Sequence, residues 1–251
     1  MKDHLYILTG ASRGMGLAMA QQLLATGNTL LCISRNASPQ LATRAQKSGL
    51  ALMQWTHDLA DTEGVSARLR DWLQSQVPGQ FASATLINNA GVIPPVVPLR
   101  QSQAADLARA LRVGLEAPMA LSAVFLGATQ AWSLPRKVLN ISSGLGRYPM
   151  ASQAGYCAAK AGMDHFTRCL ALDEALHPNG AKVCSLAPGV IDTDMQVQLR
   201  GTTSEAFPDQ SKFAQLKASG LLSSPEQAAE QVLRFLARPD FGQTPVADVR
   251  A

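Results

Sequence analysis

The sequence predicts a doubly wound α/β domain, a mostly parallel sheet with helices on both faces. Three observations lead there. Continuous apolar runs of strand length alternate with longer amphipathic stretches along the chain, as expected of strands buried on both faces and joined by crossover helices. The first apolar run leads straight into a glycine-rich loop, "TGASRGMG" at 9–16, the kind of short turn that joins a strand to a helix in such folds. No Gly/Ser linker, repeat or low-complexity stretch divides the 251 residues, so 1–251 reads as a single domain.

Each element has its own justification. "HLYILTG" reads as a buried strand, and "MGLAMAQQLLATGN" as a helix closed by Gly27. "TLLCISR" is a second strand; "SPQLATRAQKSG" is a second helix, with Ser38 as N-cap and Pro39 at its first position. "ALMQWTHDL" is a strand and "DTEGVSARLRDWLQSQ" a helix; "SATLINNAG" is a strand, followed by a long helical stretch over 101–131. "KVLNISS" is a strand, "AGYCAAKAGMDHFTRCLALDEAL" a long helix, and "AKVCSLAPG" a strand. Residues 201–224, rich in Ser, Thr, Gly and Lys, read as irregular. "SPEQAAEQVLRFLA" is a helix capped by Ser224 with Pro225 at N1, and "TPVADV" is a final strand.

Composition bounds the function. Hydrophobic residues make up 47% and charged residues 16%, enough apolar material for a packed core and too little charge for a disordered chain. No uninterrupted apolar run approaches the roughly 18–20 residues of a membrane span, and "MKDHLYILTG" lacks the long apolar region of a signal peptide; a cytoplasmic protein without membrane association is expected. Cys32, Cys157, Cys169 and Cys184 form no C-x-x-C pair and stand beside no histidines at metal-ligand spacing, so reduced thiols and no metal site are expected. The net charge is +4 and the pI near 9.0, yet the basic residues are scattered and no basic run carries interleaved aromatics. Nucleic acid is therefore not expected as a partner. A mild basic balance suits an anionic cofactor or substrate.

The glycine loop falls where an open parallel sheet binds a dinucleotide. Gly10 allows a sharp turn, while Gly14 and Gly16 let backbone approach a pyrophosphate and the helix pack close to the sheet. Where NAD sites place an acid at the end of the second strand to hold the ribose 2′-hydroxyl, this chain has Ser34-Arg35. Arg35 together with Arg13 would clamp a 2′-phosphate, favouring NADP(H). Further on, Tyr156 and Lys160 stand at i and i+4 on one helix face. A neighbouring ammonium favours a phenolate, which would make Tyr156 a proton donor and acceptor near neutrality. Ser143 ends the fifth strand, at the carboxyl edge where such sheets bind ligands, positioned to hydrogen-bond a substrate carbonyl.

"TGASRGMG", the "HDL" around Asp58, "NNAG" at 88–91, "ISS" at 141–143, "YCAAK" at 156–160 and "PGVIDTDM" at 188–195 together resemble the short-chain dehydrogenases/reductases over nearly the whole chain. The resemblance implies a Rossmann-type fold and hydride transfer between a nicotinamide and a carbonyl or alcohol. It implies Ser143, Tyr156 and Lys160 as catalytic residues, the first two on the substrate and Tyr156 and Lys160 also on the cofactor. The remaining cofactor contacts it implies are Gly10, Ser12, Arg13, Gly14, Met15 and Gly16 in the loop; Ser34, Arg35, Asp58 and Leu59 around the adenosine; Asn88, Asn89, Ala90 and Gly91 along the cleft; and Pro188, Gly189, Val190, Ile191 and Thr193 over the nicotinamide. The C-terminal third is similar to the sepiapterin reductase and benzil reductase branch, whose members reduce carbonyls with NADPH. That likeness implies a substrate lid over about 196–223 and a pterin-anchoring Asp248, seven residues after Phe241.

One departure bears on activity. In "RVGLEAP", Gly114 takes the place of the asparagine that, in this family, holds a proton-relay water. The expected function is an NADPH-dependent carbonyl reductase of a ketone or dicarbonyl. The alternative that Gly114 keeps open is an NADP(H)-binding redox sensor or scaffold with little turnover. The resemblance also implies a homodimer or homotetramer, formed through the helices of 101–131 and of Tyr156.

Overall fold

The computed structural model describes residues 2–250. Strands β1 (Asp3–Thr9), β2 (Asn28–Ser34), β3 (Ala51–Thr56), β4 (Phe81–Asn88), β5 (Arg136–Ile141), β6 (Lys182–Ala187) and β7 (Val246–Asp248) form one sheet in the order β3-β2-β1-β4-β5-β6-β7. Every neighbouring pair is parallel. The order reverses between β1 and β4, which opens a crevice at the carboxyl ends of the central strands.

The strands are apolar throughout because both faces are covered. Successive residues of β1 feed opposite layers: Leu5 and Ile7 pack with Leu69, Phe125 and Val138, whereas Leu8 packs with Met19, Ile87 and Val232. Burying each such side chain contributes roughly 1.5–3 kcal/mol. Helices α1 (Gly14–Leu23), α2 (Pro39–Ser48), α3 (Thr62–Gln74), α4 (Ala104–Leu111), α5 (Ala117–Thr129), α6 (Ala154–Ala175), α7 (Asp194–Arg200), α8 (Gln210–Ala218) and α9 (Pro225–Ala237) complete the architecture. The expected caps are present. Ser38 accepts from the Leu41 N–H at the start of α2, and Ser224 forms a capping box with Gln227 at the start of α9.

Two expectations need correction. The long helical stretch is interrupted by a π-helical turn, Arg112–Glu116, where the Ala117 N–H reaches back five residues to the Arg112 carbonyl. Pro118 explains it: proline has no N–H for the Gly114 carbonyl and its ring crowds that carbonyl, so the helix widens by one residue. The stretch 201–224, expected to be irregular, holds helix α8. α8 was hidden because none of its residues is buried, so no apolar stripe marks it. The lid has a small core of its own, in which Leu199 and Phe207 pack with Val96, Met150 and Phe213.

The segment Ala104–Thr129 is long and apolar enough, by composition, to cross a membrane, although no single run suggested it; half of its most apolar window is buried inside the protein.

Candidate active site

A cavity of about 740 Å³ opens at the carboxyl edge of the sheet. Its first wall is the glycine loop. Gly10 has φ +72°, and a Cβ there would stand 2.9 Å from the Ala90 Cα, so the loops after β1 and β4 touch backbone to backbone. A Cβ on Gly16 would come within 2.0 Å of the Gly10 carbonyl oxygen. Gly14 is different: φ is +54° and a Cβ would meet nothing nearer than Thr193 Cγ2 at 3.7 Å, so its backbone faces the cavity. Thr9 and Asn89 brace the loop. Thr9 Oγ1 accepts from the Asn89 and Ala90 N–H groups at 2.9 and 3.0 Å, and Asn89 Nδ2 donates to the Thr9 carbonyl at 3.0 Å.

α1 begins at this loop without a side-chain cap, as α4 to α8 also do, and it starts among the glycines that line the cavity. Its first N–H groups are therefore free to face an anion, with the helix dipole behind them. An uncapped helix start, a glycine facing open space and a cavity of this volume together fit a dinucleotide.

Toward the end of β2, Ser34, Arg35, Asp58 and Leu59 line the cavity. The Asp58 carboxylate accepts from the Ala60 N–H and pairs with Arg109 at 2.8 Å. These contacts, the Ala60 hydrogen bond foremost, hold it below the usual carboxylate range. Arg109, on α4, carried no sequence signal because it comes from a helix far along the chain. Arg13 lines the cavity as well, with its charge paired. Its guanidinium meets Asp194, in the first turn of α7, at 2.9 Å across the cleft, and both side chains are exposed. Asp194 offers it a counter-charge at the opposite lip, and an exposed pair of this kind is worth at most about 1 kcal/mol.

Asn89, Ala90 and Gly91 line the cavity, but Asn88 does not. Strand alternation turns Asn88 beneath the floor, where Nδ2 donates to its register partner Asn140 at 2.8 Å and to Ser122 at 3.2 Å. Asn140 in turn donates to Thr167 at 2.9 Å, so a buried polar ladder ties β4, β5 and α6 together under the site.

Ser143, Tyr156 and Lys160 come together in the middle of the cavity. Ser143 sits at the end of β5, where Oγ accepts from the Leu145 N–H and caps a single 3-10 turn. Tyr156 is 7% exposed. Burial pushes its phenol up to about 12, and a hydrogen bond with Ser143 acts in the opposite direction. Lys160 is 4% exposed, and Nζ donates to the Ile141 carbonyl at 2.7 Å. Burial brings its ammonium down to about 8, opposed by Asp164 one turn later. Nζ lies 5.8 Å from the Tyr156 ring centroid. The phenol is thus raised by burial rather than lowered as the spacing suggested, and the Ser143 hydrogen bond offsets this only in part.

Pro188, Gly189, Val190, Ile191 and Thr193 close the cavity from above. Gly189 needs its φ of +85° to turn the chain. Ile191 bridges to Ser223, and Asp192 is held by Arg200 and Lys217, so the lid is pinned at its root. Asp248 is not part of the wall. Its carboxylate is forked by Arg250, at 2.8 and 2.7 Å, and it is Arg250 that faces the cavity. Gly114 also lies outside the wall, packed against α6.

Comparison with known proteins agrees with this geometry. The model of the short chain dehydrogenase family matches residues 4–204. The benzil reductase ((S)-benzoin forming) of Bacillus cereus is 35% identical over 237 residues, 94% of this chain and 95% of that protein. The sepiapterin reductase of Meriones unguiculatus is 32% identical over 245 residues, 94% and 92% respectively. Among solved structures, a short-chain dehydrogenase/reductase from Burkholderia vietnamiensis is 34% identical, covers 98% of this chain and 97% of its own, and superposes with a TM-score of 0.66. A crevice at the sheet reversal, an uncapped glycine-loop helix and a Ser-Tyr-Lys cluster thus accompany homology over almost the full length: the chain belongs to the short-chain dehydrogenase family of oxidoreductases.

Proposed function

We propose that this protein is an NADPH-dependent carbonyl reductase acting on ketones and dicarbonyls of the benzil or sepiapterin kind. The observation that carries the proposal is the convergence of Ser143, Tyr156 and Lys160 in the cavity that the glycine loop opens into. In a bound complex, the free amides at the start of α1 hold the pyrophosphate and Asp58 and Leu59 the adenine. Ser34 and Arg35 take the 2′-phosphate, with Arg13 joining once it leaves Asp194. Ser12 and Met15, with 89–91, complete the cleft, and 188–193 cover the nicotinamide. NADPH bound there supplies the hydride.

The chain's own residues manage the carbonyl oxygen. Ser143 donates a hydrogen bond that polarises the carbonyl. Tyr156, protonated at neutral pH, hands its proton to the oxygen as negative charge develops there. Lys160, held by Ile141 and kept charged by Asp164, stabilises the tyrosinate left behind and holds the cofactor ribose. Asp248 acts on substrate only indirectly, by orienting Arg250. Leu172 on α6, Leu176 just past its end and Met119 on α5 are exposed apolar side chains, which suits self-association of these helices into a homodimer or homotetramer.

The direct test is NADPH consumption with a panel of diketones and quinones; no turnover with any of them overturns the proposal. A second function, cofactor sensing with little turnover, is favoured by Gly114 alone, which brings no side chain to a proton relay.

A further inference from the structure

Asp164 is 2% exposed, one turn after Lys160 on α6, and lies outside the cavity wall. A buried carboxylate is costly unless donors and a counter-charge meet it. Ser185, on β6, donates from Oγ to Asp164 Oδ1 at 2.6 Å, and Arg147 donates from Nε to Oδ2 at 3.3 Å. The same guanidinium donates from a terminal nitrogen to the Ala247 carbonyl of β7 at 2.8 Å. Arg147 closes the 3-10 turn Gly144–Gly146 that follows Ser143. Its N–H donates to the Gly144 carbonyl at 3.0 Å, and the Gly146 N–H donates to the Ser143 carbonyl at 3.0 Å. No residue of that turn is buried, so apolar burial does little to hold it. The turn lies hard against α6: a Cβ on Gly146 would stand 2.9 Å from both the Asp164 carboxylate and the Lys160 carbonyl oxygen. Within the turn, the Leu145 N–H donates to Ser143 Oγ at 3.2 Å. That bond uses a lone pair of the hydroxyl and leaves its proton for a substrate.

We infer that Arg147 is a positioning residue: clamped between Asp164 and Ala247, it holds the turn that aims the Ser143 hydroxyl at the substrate carbonyl; this rests on the carbonyl reductase function proposed above. Arg147 lies outside the cavity wall, so it acts through Ser143 rather than on substrate. Its planar fork reaches two acceptors on different elements, which ties the turn after β5 to α6 and to the edge strand at once. Asp164 thereby serves both halves of the site, one turn from Lys160 on its own helix and, through Arg147, beneath the Ser143 turn. Without the guanidinium the turn keeps its internal hydrogen bonds but loses its tether, and Ser143 Oγ spends time in directions that miss the carbonyl. Misplacing a catalytic group by about 1 Å costs up to roughly 100-fold in rate.

The test is a double-mutant cycle on kcat for benzil reduction, followed by NADPH absorbance. Arg147→Met should lower kcat about tenfold in the parent and leave the Kd for NADPH within about twofold. In a Ser143→Ala background the same substitution should change kcat by less than about twofold, because the residue it serves is gone. A merely structural cluster would lower kcat by the same factor in both backgrounds. That result overturns the inference and leaves the reductase standing, as does an undiminished kcat in Arg147→Met. A loss of NADPH affinity in step with kcat overturns it too, assigning Arg147 to the cofactor side. Should Arg147→Met not fold, Arg147→Lys keeps a cation beside Asp164 without the second donor of the fork; it enters the same cycle and is read in the same way. If the parent reduces none of the diketones or quinones, the proposed function falls and the inference with it.

Discussion

Gly114 faces Ala159 across the contact between the π-helical turn and α6: a Cβ built on Gly114 would stand 3.1 Å from the Ala159 Cβ. That is closer than methyl groups pack without adjustment. The residue next to Lys160 thus occupies the space that a side chain at 114 would need. Gly114→Asn should lower stability by about 1–3 kcal/mol through overpacking, despite removing a helical glycine. Adding Ala159→Gly should restore much of the loss. Comparing kcat of the double variant with that of Ala159→Gly isolates the asparagine. A difference within about threefold, under 1 kcal/mol of barrier, is expected if water serves the relay here. A gain above roughly 30-fold would mark the parent as a crippled reductase and favour the sensing function.

The proposed preference for NADPH rests on Arg35. Arg35→Asp should remove a charge-assisted contact and repel the 2′-phosphate, shifting the NADPH-over-NADH preference by on the order of 2–4 kcal/mol. Titrating both cofactors into both proteins measures this, and equal affinities in the parent refute it.

Tyr156→Phe preserves the buried ring and deletes the acid. The expectation is a drop of at least about 100-fold in kcat with NADPH binding nearly intact. Stopped-flow or steady-state rates decide; unchanged turnover would remove Tyr156 from the mechanism.

Lys160 makes stability depend on pH. Folding brings its pKa from 10.5 to about 8. Between these values the unfolded chain holds a proton that the folded chain has released, so stability rises with pH across that window. Below about 8 both states are charged and the cost of burying the ammonium is complete. Tyr156 acts in the opposite sense only above pH 10, its ordinary value, where the folded state alone keeps the phenol proton. Urea denaturation from pH 7 to 10 should therefore show the parent gaining on Lys160→Met. Parallel curves would show that Lys160 titrates normally.

Much of the fold was legible because each strand and helix carried its own pattern and each major cap its own residue, as with Ser38 and Ser224. The site was legible where chain neighbours build it: the glycine loop, Ser34-Arg35, and the Tyr156–Lys160 pair. Legibility ended where partners are distant in sequence. Nothing at Arg109 announces Asp58, and nothing at Asp194 announces Arg13. Asn88 and Asn89 are adjacent and chemically identical, yet alternation sends one beneath the floor and the other into the cleft. The π-turn was written in Pro118, but only the chain's packing shows that the helix absorbs it by widening rather than by ending. Asp248 looked available because its claim on Arg250 lies two residues away, in a turn that spacing alone does not reveal.

The missing cap on α1 has a consequence for the protein's life in a cell. Under the proposed function, the first amides of this helix would be completed by a bound coenzyme rather than by the chain's own sequence. At a free cofactor concentration of 100 times Kd, binding adds about 2.7 kcal/mol to the folded state. On the same proposed function, the folded chain would resist unfolding better where its coenzyme is abundant.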